Sequence, residues 1–241
     1  MPRFYCPLPL DPGCTIDLPP ELAHHVLVLR MVVGDLITLF NGSGGEVSAA
    51  LVSIEKKRAS AQILAFLARE AELPYAITLA QALPEAAKMD WIIEKAVELG
   101  VAAIQPLAAQ RCVVRLSAER ALKRHAHWQG VIVAASEQCG RNHLADLAQV
   151  VDFSQWLKQP HGPARILLSP RATQSLAQWA SHQAPQAVSL LIGPEGGLSE
   201  QEEAAALANG ALALSMGSRI LRTETAGLVA ITTLNAIWEK P

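Results

Sequence analysis

The sequence predicts an α/β protein in two parts: a small β-barrel or half-barrel over residues 1–72, then a mainly parallel α/β sheet over 73–241. Three observations carry that expectation. Short alternating strands joined by turns fill the N-terminal part, the acidic stretch 69–74 closes it, and beyond it apolar strands alternate with helical segments. A chain of 241 residues, 51% hydrophobic and 17% charged, is long enough for one large core or two modest ones.

In chain order, residues 35–40 and 46–54 read as a hairpin around Asn41, Gly42, Ser43, Gly44 and Gly45, and 58–64 adds another strand. That glycine run is a turn rather than a phosphate loop, because no helix follows it to offer N-terminal amides. Past the boundary near residue 72, residues 75–83 predict a strand, 89–99 a helix closed by Gly100, and 101–107 a strand. Residues 117–139 predict a long helix, and 165–168, 188–192 and 211–214 further strands with helices between them. In 223–238, Ala226, Val229, Ala230, Thr233, Leu234 and Ile237 recur at spacings of three and four, so the helix buries that face. Its other face, with Gly227, Leu228, Ile231 and Ala236, is also weakly polar; core or a second subunit covers it.

Composition excludes several classes. The apolar runs 26–29 and 204–208 fall far short of the roughly 20 residues a bilayer span needs. The opening residues show neither an apolar core segment nor a small-residue cleavage site, so a cytoplasmic location is expected. Cys6, Cys14, Cys112 and Cys139 form no C-x-x-C pair, which points to reduced, mostly buried thiols, with Cys139 the one candidate for reactivity. His125 and His127, two apart on a helix, point in different directions, and no metal is expected. The acidic row Asp90, Glu94 and Glu98 repels itself and wants a basic partner, for which Arg111 is a candidate. Net charge is −2, so only local clusters suggest a polyanion: Lys56, Lys57 and Arg58, and the run Arg111, Arg115, Arg120, Lys123 and Arg124. Each is either a phosphate grip or a solvated face.

Two loops stand out. In the first, an apolar stretch with Leu191 and Ile192 ends in Gly193, Pro194, Glu195, Gly196 and Gly197, where glycines let a ligand approach the backbone. Ser199 and Glu202 make a capping box, and Glu200, Glu202 and Glu203 fill the first turn of the next helix. Those anions disfavour phosphate there, and neither G-x-G-x-x-G nor a Walker loop is present. The second loop, after Leu214 and Ser215, runs from Met216 and Gly217 to Thr225 and Ala226 and packs Arg219, Arg222 and Glu224 into six residues. Ile220 and Leu221 suit an adenine slot, the arginines an anion, and Glu224 a proton; an ion-paired helix start at Thr223 explains the same residues equally well.

Together these loops resemble the knotted SPOUT methyltransferases, specifically the ribosomal RNA small subunit methyltransferase E family. Nearly the whole chain shares the likeness: Lys88, Asp90, Glu94, Lys95 and Glu98 match its first methyltransferase helix, and Gln110, Arg111 and Val113 the segment after it. Glu137, Gln138, Gly140 and Arg141 match its Glu-Gln-x-Gly-Arg motif, and His24, His25, Val28, Leu29, Arg30, Gly34 and Asp35 its PUA-like barrel. Two departures are the missing proline after Arg141 and Met216 in place of leucine, a nearly volume-neutral swap.

The resemblance implies an N-terminal PUA-like RNA-binding barrel over 1–72 and a SPOUT domain over 73–241 with a deep trefoil knot near 188–238. It implies an S-adenosylmethionine pocket built from the residues of the two loops named above, a homodimer, and methylation of N3 of a uridine in 16S rRNA on the small subunit. Arg3, Arg30, Lys56, Lys57, Arg58, Arg111 and Arg115 are the candidate RNA contacts. N3 of uridine must lose its proton, which calls for in-line positioning and anion stabilisation. Arg222 and Arg141 are candidates for the anion, Glu224 and Glu137 for the proton. Two other readings stay open: a methyltransferase of the same fold acting on another rRNA position or on tRNA, and a non-catalytic RNA-binding assembly factor.

Overall fold

The structure, a computed structural model, describes residues 1–85, 88–159 and 164–239. It divides into two units, Met1–Glu72 with Ser136–Leu144, and Leu73–Ala135 with Ala145–Pro241.

The first unit holds β1 (Arg3–Tyr5), β2 (Thr15–Asp17), α1 (Pro20–Val28), β3 (Leu36–Phe40), β4 (Glu46–Ile54) and β5 (Ala59–Leu67). They form one sheet in the order β1-β3-β4-β5-β2, in which only the β1–β3 pair is parallel. The expected hairpin is β3–β4, Leu36 facing Ala50, and its turn uses Gly42, Gly44 and Gly45 at φ +85°, +99° and +65°. Inward side chains from Phe4, Ile37, Leu39, Val47, Leu51 and Ile63 pack on Leu22, Ala23 and Val26 of α1.

That helix departs from the all-strand reading of this part. Pro20 opens it where a missing N–H costs nothing, and Leu22, Ala23 and Val26 supply one buried face at spacings of one turn. It closes with Arg30 at φ +54°, where Arg30 N–H reaches Leu27 O and Met31 N–H reaches Val26 O, an αL stop usually given to glycine.

The second unit is an all-parallel sheet in the order β12-β10-β11-β6-β7-β8, with β9 also beside β7. Its strands are β6 (Ile77–Ala82), β7 (Ala103–Ala108), β8 (Asp146–Leu147), β9 (Val151–Asp152), β10 (Ala164–Leu168), β11 (Val188–Ile192) and β12 (Leu212–Leu214). The helices are α2 (Lys88–Glu98), α3 (Ala118–Cys139), which from Ser136 on belongs to the first unit, α4 (Phe153–Leu157), α5 (Leu176–Ser181), α6 (Glu200–Ala208) and α7 (Thr223–Trp238). Ile77, Leu79, Ile104, Ile166, Leu190 and Leu191 are wholly shielded, as expected of strands covered on both faces, which is why these segments read as unbroken apolar runs. Gly100 at φ +88° ends α2 in a Schellman turn, Val101 N–H bonding Ala96 O.

Helix α7 packs against α2, α5 and β11. Its deeply buried face is Gly227, Leu228, Ile231, Leu234 and Trp238, whereas Ala226, Val229, Thr233 and Ile237 are only half-buried. Both faces read from the sequence thus contribute buried residues, Ala230 and Leu234 from the first and Gly227, Leu228 and Ile231 from the second. The helix is apolar on most sides, so periodicity could not rank its faces; close approach to the sheet did, since a Cβ on Gly227 would lie 3.0 Å from Leu79 Cδ1.

Candidate functional site

Parallel strands deliver their C-terminal ends to one edge of the sheet, and in open α/β sheets that edge receives ligands. Here the loops after β6, β10, β11 and β12 gather around a cavity of about 490 Å³, within the size range of cofactor sites.

The loop after β11 is shaped by its glycines. A Cβ on Gly193 would sit 3.0 Å from Leu198 N, and Gly197, at φ +67°, turns back so that its N–H meets Pro194 O at 2.8 Å. The capping box of α6 is present, with Ser199 Oγ accepting Glu202 N–H and the Glu202 carboxylate accepting Ser199 N–H at 2.9 Å. Glu202 also takes the Gln110 N–H at 2.7 Å, and Glu203 pairs with Arg171. The start of α6 is therefore saturated by its own carboxylates, the physical ground for excluding phosphate.

Thr223 ties three of these elements together. Its hydroxyl donates to Gly193 O at 2.5 Å and accepts from Gln81 Nε2 at 2.9 Å, joining the start of α7 to the ends of β11 and β6. Both Thr223 and Gln81 are buried. Beside this tie, Lys88 Nζ donates to Glu195 Oε1 at 2.7 Å and lies 3.9 Å from Glu224 Oε2, while Glu85 N–H also reaches Glu195 Oε1 at 3.0 Å. Burial pushes the Glu195 carboxyl up, but the bonds from Lys88 and Glu85 outweigh it and hold it below the ordinary range. The same bond to Glu195 raises the Lys88 ammonium. Glu224 Oε2 is buried and has no hydrogen-bond partner.

Ile192, Gly193, Pro194, Glu195, Gly196, Gly197, Met216, Gly217, Ile220, Leu221, Arg222, Glu224 and Ala226 line the cavity, together with Arg219. Leu191 and Leu214 are shielded within the sheet, Ser215 is buried beside Gln174, and Thr225 lies half-buried on α7; these four are not among the lining residues. Arg219 and Arg222 are exposed, and their guanidinium groups make no hydrogen bond or ion pair among the described residues. Sequence reading gave no site role to Lys88, Leu167, Leu168, Ser169, Pro170 or Thr223, all of which also line it.

Glu137 and Arg141 are engaged elsewhere. Both belong to the first unit, where Glu137 Oε1 accepts Tyr5 N–H at 2.8 Å and the buried Arg141 grips the Glu72 carboxylate, with Nε at 3.0 Å and Nη2 at 2.5 Å. Arg141 and the buried Asn142 thus route the segment that lacks the expected proline. Neither Glu137 nor Arg141 lines the cavity.

Among the candidate RNA contacts, Arg3 is turned inward. Its guanidinium donates to Glu46, to Ser136 O, to Arg141 O and to Asn142, and lies 3.9 Å from the Phe40 ring centroid. Arg69, unforeseen from sequence, shares Glu46 with it at 2.8 Å. Arg30 and the turn residues Lys56, Lys57 and Arg58 are exposed, and since Leu36 faces Ala50, β3 begins where β4 ends, at the same end of the sheet. Arg111 donates to Gly196 O and Leu198 O, and Arg115 to Gln110 O. Arg111 therefore does not serve the acidic row: Glu94 and Glu98 share Lys95, and Asp90 accepts from Trp128 Nε1 and faces His127 Nε2. Cys6 and Cys112 are buried, Cys139 half-buried and Cys14 exposed. No cluster of three metal-ligating side chains occurs among the described residues, and no described helix is long and apolar enough to cross a membrane.

The parallel sheet and its cavity belong to the RNA methyltransferase class: the RNA methyltransferase domain model matches residues 71–235, and an RNA methyltransferase PUA domain model matches residues 18–64. Ribosomal RNA small subunit methyltransferase E of Bacillus subtilis is 31% identical, with 98% of this chain and 96% of that protein aligned. Its Synechocystis counterpart is 34% identical over 93% of this chain and 74% of its own length. The crystal structure of the Neisseria gonorrhoeae enzyme of that name, bound to S-adenosyl methionine, superposes with TM-score 0.92 at 40% identity, covering 99% of this chain and 98% of that one. A Legionella pneumophila methyltransferase solved with bound cofactor also gives 0.92, at 38% identity and with 98% and 97% covered. The chain belongs to the ribosomal RNA small subunit methyltransferase E family.

Proposed function

We propose that this protein methylates N3 of a uridine in 16S rRNA, using S-adenosylmethionine and acting on the assembled small subunit. The observation that carries the proposal is the cavity, which joins a glycine-shaped backbone loop, an unpartnered carboxylate oxygen and two free guanidinium groups. Its residues fit the methyl donor. Ile192, Leu167 and Leu221 offer apolar walls for adenine, the backbone around 193–197 and 214–217 offers polar groups for its edge, and Glu224 suits a cationic ligand. When bound, the donor supplies a methyl group on a positively charged sulfur.

The chain's own side chains do the rest. Arg222, with Arg219 beside it, stabilises negative charge on the uridine carbonyl oxygens as N3 loses its proton, and the Glu224 carboxylate accepts that proton. Holding nitrogen and methyl in line is an orientation effect worth several kcal/mol, on the order of the low end of measured effective molarities. Residues 1–72 act as a PUA-like barrel that binds RNA through Arg30, Lys56, Lys57 and Arg58, and 73–241 as the SPOUT domain. Its knot lies near 188–238, a reading supported by β11 seating between β6 and β10 with β12 beyond. The half-buried apolar stripe Val229, Thr233 and Ile237 on α7 supports a homodimer.

The test is in vitro methylation of purified small subunits and of naked 16S rRNA with labelled donor, mapping the product by primer extension and nucleoside mass spectrometry. N3-methyluridine formed at one position, preferentially on subunits, is expected. A different nucleoside, or no donor binding by calorimetry, overturns the proposal.

A further inference from the structure

Residues 111–124 carry Arg111, Arg115, Arg120, Lys123 and Arg124 against one acid, Glu119, in a chain whose net charge is −2. All five cations are exposed, and all belong to the second unit. Few of them are matched. Lys123 meets Glu119 at 2.7 Å, with the two side chains 75% and 77% exposed, so water screens that pair. Arg111 and Arg115 donate only to carbonyl oxygens, those of Gly196, Leu198 and Gln110, which satisfy N–H groups without cancelling charge. The guanidinium groups of Arg120 and Arg124 make no hydrogen bond or ion pair among the described residues. Elsewhere in this unit Lys88, Lys95 and Arg171 each meet a carboxylate.

Fold stability does not account for this placement. A helix is positive at its start and negative at its end, so cations gain in the last turn and lose in the first. Helix α3 has them the other way round: Arg120 lies in its first turn, Lys123 and Arg124 follow in the next, and its last turn holds no basic residue. At 3.6 residues per turn these three share one face, within an arc of about 100°, where Arg120 and Arg124, four apart, repel each other. Ser117 already closes the start of the helix, its carbonyl accepting Ala121 N–H at 2.8 Å and its hydroxyl accepting Arg120 N–H. One turn beyond Arg124, His127 faces Asp90 at 2.8 Å, and the unmatched stretch ends.

The same run begins against the cavity. Gly196 and Leu198, whose carbonyls Arg111 grips, both line it, and a Cβ on Gly196 would lie 3.4 Å from Arg111 Cβ. Gln110 N–H reaches Glu202 at 2.7 Å and fixes the segment a second time. We infer that the run 111–124, above all Arg120, Lys123 and Arg124, is a phosphate-binding surface that holds the backbone of the RNA whose nucleotide enters the cavity. This rests on the functional reading above. A polyanion fits because it brings regularly spaced negative charge, and the counterions it releases favour contact with cations that nothing in the fold neutralises. No aromatic residue interrupts 111–124, so the surface meets phosphates rather than bases and positions the strand without reading its sequence.

The experiment compares R120Q/R124Q, R120K/R124K and, as a control for bulk charge, K158Q at the exposed end of α4. Each is measured for Kd on naked 16S rRNA and on small subunits across a salt series, for donor affinity by calorimetry, for plateau single-turnover rate at saturating RNA, and for melting temperature. R120Q/R124Q should raise Kd on both forms of RNA about tenfold and flatten the slope of log Kd against log salt by about 1.5, at roughly 0.7–0.9 per phosphate contact. Its donor affinity and plateau rate should stay within about threefold of the parent, and its melting temperature should hold or rise, since two cations leave the positive end of a helix. R120K/R124K should keep the slope and a Kd within about threefold, and K158Q should change neither. An unchanged slope in R120Q/R124Q, an equal flattening in K158Q, or a lower melting temperature with lost donor affinity overturns the inference. So does weaker binding to subunits with naked rRNA unaffected, which points to a protein partner instead. Should the double variant not fold, R124Q alone decides, by a slope flattened by about 0.7–0.9 or left unchanged. Mapping the product on the same samples separates this from the functional reading, which fails if the nucleoside is not N3-methyluridine, whatever the slope.

Discussion

Replacing Thr223 by valine removes one oxygen from the cavity wall and adds a methyl in nearly the same volume. The hydroxyl it deletes makes two bonds, to Gly193 O at 2.5 Å and from Gln81 Nε2 at 2.9 Å. Gln81 Nε2 keeps its bond to Ala82 O, but Gly193 O loses its listener from α7, and Gln81 Oε1 already lacks a partner. Two buried bonds at about 1 kcal/mol each, one of them leaving an acceptor unsatisfied, give a destabilisation of about 2–3 kcal/mol. Serine is the control: it keeps both bonds and loses one buried methyl, about 1 kcal/mol. Because the tie also fixes the backbone that faces the ligand, T223V should weaken donor binding about tenfold, whereas T223S should stay within about threefold. Urea unfolding followed in the second unit, with and without donor, measures the first quantity and calorimetry the second. If T223V is as stable as T223S and binds the donor equally well, the hydroxyl is incidental and the reasoning fails.

Three further outcomes follow from particular contacts. The proposed methyl transfer to N3 needs no cysteine adduct, so Cys139→Ser should leave single-turnover methylation within a few-fold; abolished activity would instead indicate covalent catalysis at pyrimidine carbon. Reversing the charge of the exposed Lys56, Lys57 and Arg58 should raise the Kd for small subunits and flatten its dependence on salt, without changing donor affinity; an unchanged salt slope removes that turn from the RNA footprint. Glu46 is held below the ordinary glutamate value, chiefly by its hydrogen bond from Arg69 and further by Arg3. Its ionised form therefore stabilises the fold above the unfolded-state value near 4.5, and that contribution is lost as pH falls through the depressed folded value. Acid unfolding of E46Q should accordingly be flatter below about pH 5 than that of the parent, from a lower starting stability; parallel curves would show that Glu46 is not the titrating group.

What sequence disclosed and what it hid divide along the range of the interactions involved. The β3–β4 turn, the Gly100 stop of α2 and the bounds of β11 and α7 rest on local chemistry, namely glycine at positive φ and runs of apolar residues, and these were legible. Helix α1 was missed because its nine residues carry only a short buried stripe and its stop uses arginine where glycine is usual. Arg111, one candidate partner for the acidic row, is not its partner, because the row is served within α2 by Lys95 and from α3 by Trp128 and His127, contacts that charge spacing alone does not rank. Thr223 and Lys88 were passed over for the same reason in stronger form. Their partners, Gln81 and Glu195, lie 142 and 107 residues away, and only the parallel sheet brings them together.

That division also explains why phosphate could be argued against before the site was complete. Capping acids at the start of α6 are a local feature, and they already argued that no phosphate binds after Gly197; the formed capping box bears the same charge logic. Among the lining carboxylates, Glu203 is matched by Arg171 and Glu195 by Lys88, which leaves Glu224 with a buried oxygen that no hydrogen bond satisfies, and two exposed arginines also line the cavity. A cavity so arranged suits a nucleoside that carries positive charge and no phosphate. The exclusion of phosphate rests on residues three apart in sequence, whereas the pocket for the rest of the ligand required the ends of four strands to meet.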